Sequence, residues 1–172
     1  EAPLADGWAD DLATETRLVF GPGKAAARLE ADKAWAKEIM RSASVPTAEG
    51  RIFKDRSPAI AYAMRREEGC VVKASGLAAG KGVIVCRTPE EAVEAVQMIM
   101  GDPERRTQGS FGAAGDTIVI EELLQGQEMS VLALVDGRSI WVLDPCQDHK
   151  QVGEGDIGPN TGGMGAYCPT PL

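Results

Sequence analysis

No apolar run in this 172-residue sequence is long enough to cross a membrane, and its first residues lack the layout of a signal peptide. An excess of basic residues is also missing, because 18 lysines and arginines stand against 26 acidic residues, a net charge of −8. This balance argues against a nucleic acid or a membrane surface as the partner. The hydrophobic fraction of 44% is that of a globular protein with a proper core.

Cysteine and histidine are too few and too scattered to indicate a metal centre. The four cysteines, Cys70, Cys86, Cys146 and Cys168, lack paired metal-ligand spacing. Two of them fall on predicted buried strands, so we expect reduced structural thiols in a cytoplasmic protein. The one histidine, His149, has no serine or cysteine nucleophile beside it in a recognisable pattern. A small-molecule hydrolase is therefore the least favoured class of function.

The chain also lacks the two commonest phosphate-binding loops. A Walker A loop has four residues between its glycines, whereas three residues separate Gly76 from Gly80. That loop also needs a serine or threonine after its lysine, whereas Lys81 is followed by Gly82. A dinucleotide fingerprint opens a helix, whereas residues 83–85 are a strand-like apolar run. The sequence therefore predicts a strand, a glycine-rich flap and a second strand.

What the sequence does carry is a lysine inside a buried strand, just before that flap. Alternation places Lys73 on one face of the strand with Val71 and Ser75, opposite an apolar face. A buried lysine is costly unless its charge meets a partner. Glycines let the N–H groups of residues 76–82 close on an anion. Lys73 beneath a flap that carries Lys81 predicts a clamp for nucleotide phosphates, with an ordinary glycine-rich hairpin as the alternative.

The order of predicted elements is that of an α+β fold with antiparallel strands, not of a doubly wound sheet. The predicted helices span about 24–43, from Ser57 to Gly69, and from Thr88 to about Met100, the last with a capping box. Besides the two strands around the flap, strands are predicted at 18–20, 51–53, 117–122, 128–135 and 138–144. Asp136 and Gly137 form the turn between the last two. Residues 1–22 are otherwise turns, residues 101–116 a polar loop, and residues 146–172 lack periodicity.

Three further motifs suit the binding of a nucleotide or a sugar. The strand that ends at Glu121 and Glu122 leaves backbone groups free to read the edge of a flat base, while Leu123 or Leu124 can pack on its face. Glu128 can accept hydrogen bonds from both ribose hydroxyls. Residues 147–150 gather an acid, the histidine and a lysine, and residues 158–167 carry glycines with asparagine and threonine donors that suit a phosphate or a sugar hydroxyl. The alternatives are a polar strand end, a solvated turn and a flexible linker, respectively.

Together these motifs resemble one family. Residues 73–82, 121–124, 147–150 and 158–167 are similar to the phosphoribosylamine–glycine ligases, also called glycinamide ribonucleotide synthetases, of the ATP-grasp superfamily. The resemblance extends to residues 20–22, 29–33 and 46–48 and covers nearly the whole chain. It implies an α+β ATP-grasp fold, with antiparallel sheets and a glycine-rich lid subdomain.

The resemblance also implies a division into domains. Residues 1–22 would end an amino-terminal domain, residues 23–68 would begin the central ATP-grasp domain, residues 69–126 would form its lid subdomain, and residues 127–172 would return to the central domain. The chain would be an internal fragment, inactive as a ligase by itself. The metal ligands would lie beyond Leu172, with none in the chain.

The activity that the resemblance implies is a ligation in purine biosynthesis. ATP, with Mg²⁺ or Mn²⁺, would phosphorylate the carboxylate of glycine, and the amine of phosphoribosylamine would displace phosphate to give glycinamide ribonucleotide. Such chemistry depends on positioning and charge neutralisation, and no catalytic residue is assigned. Fusion to other purine-pathway domains is possible in this family. The alternative is a non-catalytic ATP-binding module.

The site residues implied by the resemblance form two sets. The nucleotide set is Lys33, Lys73, Gly76, Gly80, Lys81, Gly82, Glu121, Glu122, Leu124 and Glu128. The set for phosphoribosylamine and glycine is Asp148, His149, Lys150, Asn160, Thr161, Gly162, Gly163 and Met164.

Overall fold

A computed structural model describes residues 1–102, 107–155 and 157–171, which divide into unit 1, Glu1–Leu124, and unit 2, Gln125–Leu172. The helices of unit 1 are α1 (Ala2–Asp6), α2 (Trp8–Leu12), α3 (Lys24–Ala31), α4 (Lys33–Ser42), α5 (Arg56–Ala63) and α6 (Pro89–Met100), with a 3₁₀ helix at Gly112–Gly115. Its strands are β1 (Gly50–Phe53), β2 (Cys70–Ala74), β3 (Val83–Cys86), β4 (Gly101–Asp102), β5 (Thr107–Gln108) and β6 (Ile118–Glu122). Unit 2 contains β7 (Ala133–Val135), β8 (Ile140–Val142), β9 (Gln147–Gly153) and β10 (Ile157–Tyr167).

A four-stranded antiparallel sheet in the order β1-β6-β2-β3 organises unit 1. Alternation along β2 sends Cys70, Val72 and Ala74 into the core, where α5 and α6 cover that face. Helix α6 is suited to this position because its buried residues follow helical spacing: Ala92, Ala95, Val96 and Ile99. The opposite face of the sheet carries Lys73 and Glu121, and α4 contacts β6. The predicted α+β fold with antiparallel pairing is confirmed.

The predicted strand–flap–strand arrangement is also confirmed. β2 and β3 pair antiparallel, from Cys70 opposite Cys86 to Lys73 opposite Val83, and residues 76–82 lie in the connection between them. Both cysteines are buried and free, in agreement with the prediction of reduced structural thiols. The flap is therefore anchored by two paired strands.

The helix predicted over 24–43 is wrong as a single element, because the chain breaks at Asp32. That residue has extended backbone (φ −142°), and its carboxylate accepts the N–H of Trp35 at 3.1 Å, which caps α4. The helix predicted from Ser57 to Gly69 is also too long. It begins at Arg56 after Asp55 and ends at Ala63.

Helix α6 begins where the sequence predicts. The hydroxyl of Thr88 accepts the N–H of Glu91 at 3.3 Å, and the carboxylate of Glu91 accepts the N–H of Arg87 at 2.6 Å. In a capping box the carboxylate accepts the N–H of the cap residue itself, whereas here it accepts the N–H of Arg87, one residue before the cap. After this helix, the polar loop predicted over 101–116 contains β4, β5 and the 3₁₀ helix, while its residues 103–106 lie outside the described residues.

The strand predicted at residues 18–20 is wrong. Leu18 and Phe20 are 96% and 89% exposed, and residues 18–20 pair with no described strand. A short apolar run without a partner strand cannot satisfy its backbone groups as a sheet does. The turns predicted over residues 1–22 are instead partly helical, as α1 and α2.

Unit 2 contains two separate antiparallel pairs. The predicted hairpin is present as β7 and β8, but its strands are shorter, and its turn centres on Gly137 (φ +85°) and Arg138, one residue later than predicted. Residues 146–172 are not the irregular segment that the sequence suggested, because β9 and β10 pair there with two register irregularities. Such irregularities remove the period-2 pattern by which a strand is recognised. In the described part of the chain, every helix is too short or too polar to span a bilayer.

Candidate functional site

Two lysines and a glutamate meet on the face of the unit 1 sheet opposite the core. Lys73 on β2 and Glu121 on β6 are diagonal neighbours, since Val71 is the register partner of Glu121. Lys73 Nζ donates to Glu121 Oε2 at 2.6 Å, and Lys37 Nζ, from α4, lies 2.7 Å from Oε1. We call Lys37, Glu121 and Lys73 the lysine–glutamate cluster. The partner that a buried lysine in β2 requires is therefore Glu121.

The two lysines of this cluster differ in the donors that they have left. Lys37 is 2% exposed, and its ammonium also donates to Thr47 Oγ1 and to the carbonyl of Ala48, both at 2.8 Å. Its three N–H donors are thus all engaged. The side chain of Lys73 is 27% exposed, and among the described residues Glu121 is the acceptor of its ammonium. Lys73 keeps donors for a ligand.

The lysine–glutamate cluster has a net positive charge. Burial raises the pKa of Glu121, but hydrogen bonds from Lys37 and Lys73, together with the charges of both ammonium groups, hold its pKa below the ordinary value of 4.5. The carboxylate is therefore ionised at neutral pH, and one negative charge stands against two positive ones. The partly exposed Lys73 can present this excess charge to an anion.

Ser75 ties the start of α4 to the end of β2. Its hydroxyl donates to Asp32 Oδ1 and accepts the N–H of Ala34, both at 2.9 Å, and its carbonyl accepts the N–H of Lys33 at 2.9 Å. Lys33 Nζ donates to the carbonyl of Gly76, the first residue of the flap, at 3.3 Å. A second lysine of the predicted nucleotide set thus lies at the base of the flap.

The base of the flap is packed closely. The N–H of Gly76 donates to the carbonyl of Ala114 at 3.0 Å, and a Cβ at Gly76 would lie 2.7 Å from the Cα of Ala114. At the other end, a Cβ at Gly82 would lie 2.6 Å from the Cβ of Ala78. These distances are too short for any side chain, so both glycines are required by close approach.

The tip of the flap is open. Ala79, Gly80 and Lys81 are exposed, and the first two have positive φ values of 49° and 75°. A Cβ at Gly80 would meet nothing within 4 Å. The N–H of Lys81 donates to the carbonyl of Ala78 at 2.9 Å and closes this turn, while the Lys81 ammonium and the N–H groups of Ala79 and Gly80 lie at its exposed tip.

The predicted base-reading residues stand at the end of β6. The N–H of Glu122 donates to the carbonyl of Glu49 at 2.8 Å, and its carboxylate accepts the N–H of Glu49 at 2.7 Å. Glu122 therefore uses its side chain to hold the segment before β1. Leu124 is 65% exposed at the end of unit 1, and Glu128 is exposed in unit 2.

In unit 2, β9 carries the predicted Asp148 and Lys150 on one face and the predicted His149 on the other. Lys150 Nζ lies 3.4 Å from Asp148 Oδ2, and the ring of His149 lies 5.7 Å from that of Tyr167, centroid to centroid. Tyr167 in turn donates its hydroxyl proton to Gln147 at 2.5 Å. Polar side chains therefore line this strand pair.

The other predicted residues of unit 2 form an irregular stretch of β10. Asn160 pairs with Gln151 and Gly165 pairs with His149, so the four residues 161–164 stand opposite the single residue Lys150 of β9. This set consists of Thr161, Gly162, Gly163 and Met164. The Thr161 hydroxyl donates to the carbonyl of Lys150 at 2.9 Å and accepts the N–H of Gly163 at 3.0 Å.

Comparison with known proteins decides the family. A family model described as phosphoribosylglycinamide synthetase, ATP-grasp (A) domain, matches residues 31–172. The chain is 52% identical over 172 residues to a phosphoribosylamine–glycine ligase from Nostoc, covering all of this chain and 39% of that protein. The chain belongs to the phosphoribosylglycinamide synthetase family of ATP-grasp domains. The resemblance seen in the sequence is thereby confirmed.

Further relatives of this ATP-grasp chain include a multifunctional protein and proteins of known structure. It is 51% identical to the human trifunctional purine biosynthetic protein adenosine-3, covering 99% of this chain and 16% of that protein. A Thermotoga maritima phosphoribosylamine–glycine ligase structure matches with a TM-score of 0.75 and 34% identity, over 95% of this chain and 40% of the other. D-alanyl-alanine synthetase A from Vibrio cholerae, at 16% identity and a TM-score of 0.62 over 77% of this chain and 38% of the other, shows the shared fold alone.

The described residues of this ATP-grasp chain do not fit a magnesium ion. No three His, Cys, Asp or Glu side chains within the described ranges gather as a metal site. Glu121 has both carboxylate oxygens on lysines, and Mg²⁺ needs free oxygen ligands. The ligands predicted after Leu172, itself outside the described residues, stay a prediction.

Sequence reasoning missed Lys37 and the connecting role of Ser75. The sequence does not single out Lys37, because a lysine in a helix is usually solvated. The available signal was its spacing, since Lys37 lies three residues after Ala34, on the buried side of α4. The motif at residues 46–48 was noticed for its resemblance alone, and two of its residues are acceptors for Lys37.

Proposed function

We propose that this chain is the ATP-grasp part of a phosphoribosylamine–glycine ligase, which joins glycine to phosphoribosylamine at the expense of ATP. The observation that carries the proposal is 52% identity to a ligase of that name over the chain's full length. The chain spans 39% of that relative, so the activity belongs to a longer protein. The positively charged lysine–glutamate cluster beside a glycine-rich flap supports the proposal independently.

The proposed domain division follows the resemblance. Residues 1–22 end an amino-terminal domain, residues 23–68 and 127–172 belong to the central ATP-grasp domain, and residues 69–126 are its lid. Fusion to other purine-pathway domains is a further possibility for the whole protein, because similar chains occur in proteins named trifunctional. The partners of the domain itself would be small molecules.

In the proposed nucleotide site, charge and backbone donors hold the phosphates. Lys73 supplies an ammonium with free donors, Lys33 supplies a second at the base of the flap, and Lys81 a third at its tip. The N–H groups at the exposed tip of the flap close on the same phosphates. Backbone groups after Glu121 read the adenine edge, and Glu128 accepts from the ribose hydroxyls.

The proposed chemistry consists of two displacements. A carboxylate oxygen of glycine attacks the γ-phosphorus of ATP, the bond to the bridging oxygen breaks, and ADP leaves. The amine of phosphoribosylamine then attacks the carbonyl carbon of glycyl phosphate, loses a proton, and expels phosphate. The lysines stabilise charge on the phosphates, and the residues of β9 and β10 hold glycine and phosphoribosylamine. In such ligases Mg²⁺ or Mn²⁺ offsets phosphate charge, but the described residues do not fit such an ion.

The test is ADP formation by the full-length protein with each substrate omitted in turn. We expect ADP release to require ATP, glycine and phosphoribosylamine together. Turnover that does not depend on glycine would contradict the proposal. Binding of ATP without any glycine-dependent ADP formation would instead support a non-catalytic ATP-binding module.

A further inference from the structure

One buried charge of the lysine–glutamate cluster has no assigned contact with the nucleotide. Lys37 is 2% exposed and forms an ion pair with Glu121, whose side chain is 10% exposed. A buried ion pair is weak support for stability, because the loss of hydration of two charges offsets their attraction. A role other than stability is therefore worth seeking for Lys37.

Lys37 does not reach a ligand with its own ammonium. Its three N–H donors are engaged by Glu121, Thr47 and Ala48, each within 2.8 Å. Lys37 can therefore affect a bound anion by its charge and through the neighbours that it holds, but not by direct contact. The neighbour that it shares with the exposed lysine is Glu121, which takes Lys37 on one oxygen and Lys73 on the other.

The charge of the cluster depends on this sharing. With Lys37 present, its positive charge offsets the negative charge of Glu121, and the positive charge of Lys73 remains in excess. Without Lys37, Glu121 and Lys73 would form a neutral pair, in which repulsion from the carboxylate offsets part of the attraction between the ammonium and an incoming phosphate. The effect is strong because the cluster is largely removed from water.

We propose that Lys37 is a positioning residue for nucleotide binding. It holds the Glu121 carboxylate against Lys73 and leaves the lysine–glutamate cluster a net positive charge, which Lys73 presents to a nucleotide phosphate. The inference rests on the proposed function, since it assumes that the anion is a nucleotide phosphate. To the residues of the proposed nucleotide site, the inference adds Lys37, which does not contact the ligand.

The first test compares ATP with adenosine, which lacks the phosphates. Both affinities are measured by ligand-observed NMR titration of the full-length protein, for the wild type, Lys37→Met and Lys37→Arg. We expect Lys37→Met to weaken ATP binding about tenfold or more and adenosine binding less than twofold. Lys37→Arg, which keeps the charge, should recover most of the ATP affinity. Lys54→Met, at an exposed position, is the matched control and should leave both affinities unchanged.

A merely structural role for Lys37 would give a different pattern. It would weaken ATP and adenosine binding by the same factor, and that result would overturn the proposal. Failure of Lys37→Arg to recover any ATP affinity, with the variant folded by circular dichroism, would also overturn it.

A double variant tests the charge argument even if Lys37→Met does not fold. Lys37→Met combined with Glu121→Gln removes one charge of each sign, so the net charge of the cluster remains that of the wild type. The introduced amide would still offer Lys73 an oxygen acceptor. We expect the double variant to bind ATP within about threefold of the wild type. A loss of tenfold or more, with adenosine binding unchanged, would overturn the proposal.

The wild-type measurements separate this inference from the proposed function. Failure of the wild type to bind ATP would overturn the proposed nucleotide site, and the inference with it. Normal ATP binding and ligase activity in the wild type, together with unchanged ATP affinity in Lys37→Met, would overturn the inference alone.

Discussion

Lys73 and Lys54 show how one residue type takes different positions in unit 1. Lys73 lies inside β2, with its ammonium on Glu121 and its side chain 27% exposed. Lys54 follows β1 and is exposed. An ammonium fixed near a buried carboxylate is oriented before a ligand arrives, whereas a solvated one must lose conformational freedom on binding. The first should therefore contribute more to anion affinity.

Replacement of these two lysines gives a matched comparison. We expect Lys73→Ala to weaken ATP binding by about ten- to a hundredfold, because a charge-assisted hydrogen bond contributes roughly 1.5–3 kcal/mol. Lys54→Ala should change the affinity less than twofold. Titration calorimetry of the full-length protein measures both. Small and equal effects of the two substitutions would refute the phosphate clamp.

The ionisation of a single residue, Glu121, makes the free energy of unfolding depend on pH. Because the pKa of Glu121 is held below its ordinary value of 4.5, the carboxylate contributes stability above that value and loses it as pH falls through the lowered pKa. We expect the free energy of unfolding of the wild type to fall more steeply below about pH 4.5 than that of Glu121→Gln. Urea unfolding at a series of pH values measures the difference. An equally steep fall in the free energy of unfolding of both proteins below pH 4.5 would contradict this expectation.

At the scale of elements, the connection between α4 and β2 positions two of the proposed nucleotide lysines. Ser75 follows β2, which carries Lys73, and its hydroxyl bonds the capping residue and an N–H of α4, which begins at Lys33. Helix and strand are thus joined through one buried hydroxyl. Loss of that hydroxyl would leave a buried N–H without its acceptor.

Substitution of Ser75 tests this connection. We expect Ser75→Ala to lower the free energy of unfolding by about 1–3 kcal/mol, because the N–H of Ala34 and the carboxylate of Asp32 lose their shared partner. Ser57→Ala, at an exposed position of α5, is the control and should change it by less than about 0.5 kcal/mol. Chemical unfolding measures both. An equal change in the two variants would show that the connection is unimportant.

Elements with a clear period were predictable from the sequence, and irregular ones were not. β2 and α6 were recognised because alternation, helical spacing and a capping threonine all agree there. β9 and β10 were missed because two register irregularities and several glycines hide their alternation. The break at Asp32 could not be predicted, because the residues on either side of it continue a helical pattern. Asp32 caps α4 only because its own backbone is extended, which the sequence does not show.

The candidate site was predictable in its motifs and not in its pairings. A lysine before a glycine-rich flap indicates an anion site, but the partner of Lys73 lies 48 residues away and is set by the register of β2 and β6. Gly50 is a similar case, since a Cβ there would lie 2.8 Å from the Cγ of Glu121. Such requirements come from strand pairing, which a local pattern does not contain.

At the scale of the whole molecule, the chain spans 39% of the Nostoc ligase that it matches, and the proposed reaction belongs to the longer protein. In the proposed reaction, ATP activates the carboxylate of glycine. In that case one carboxylate oxygen becomes the bridging oxygen of glycyl phosphate and leaves with the phosphate. The fate of that oxygen distinguishes this activation from simple hydrolysis of ATP, in which water supplies the new oxygen of phosphate.

The most direct test is therefore an oxygen-transfer experiment with the full-length protein. Glycine labelled with ¹⁸O in its carboxylate is incubated with ATP and phosphoribosylamine, and the released phosphate is analysed by ³¹P NMR or mass spectrometry. We expect each released phosphate to contain one oxygen from glycine. Phosphate without the label, formed together with ADP, would contradict it.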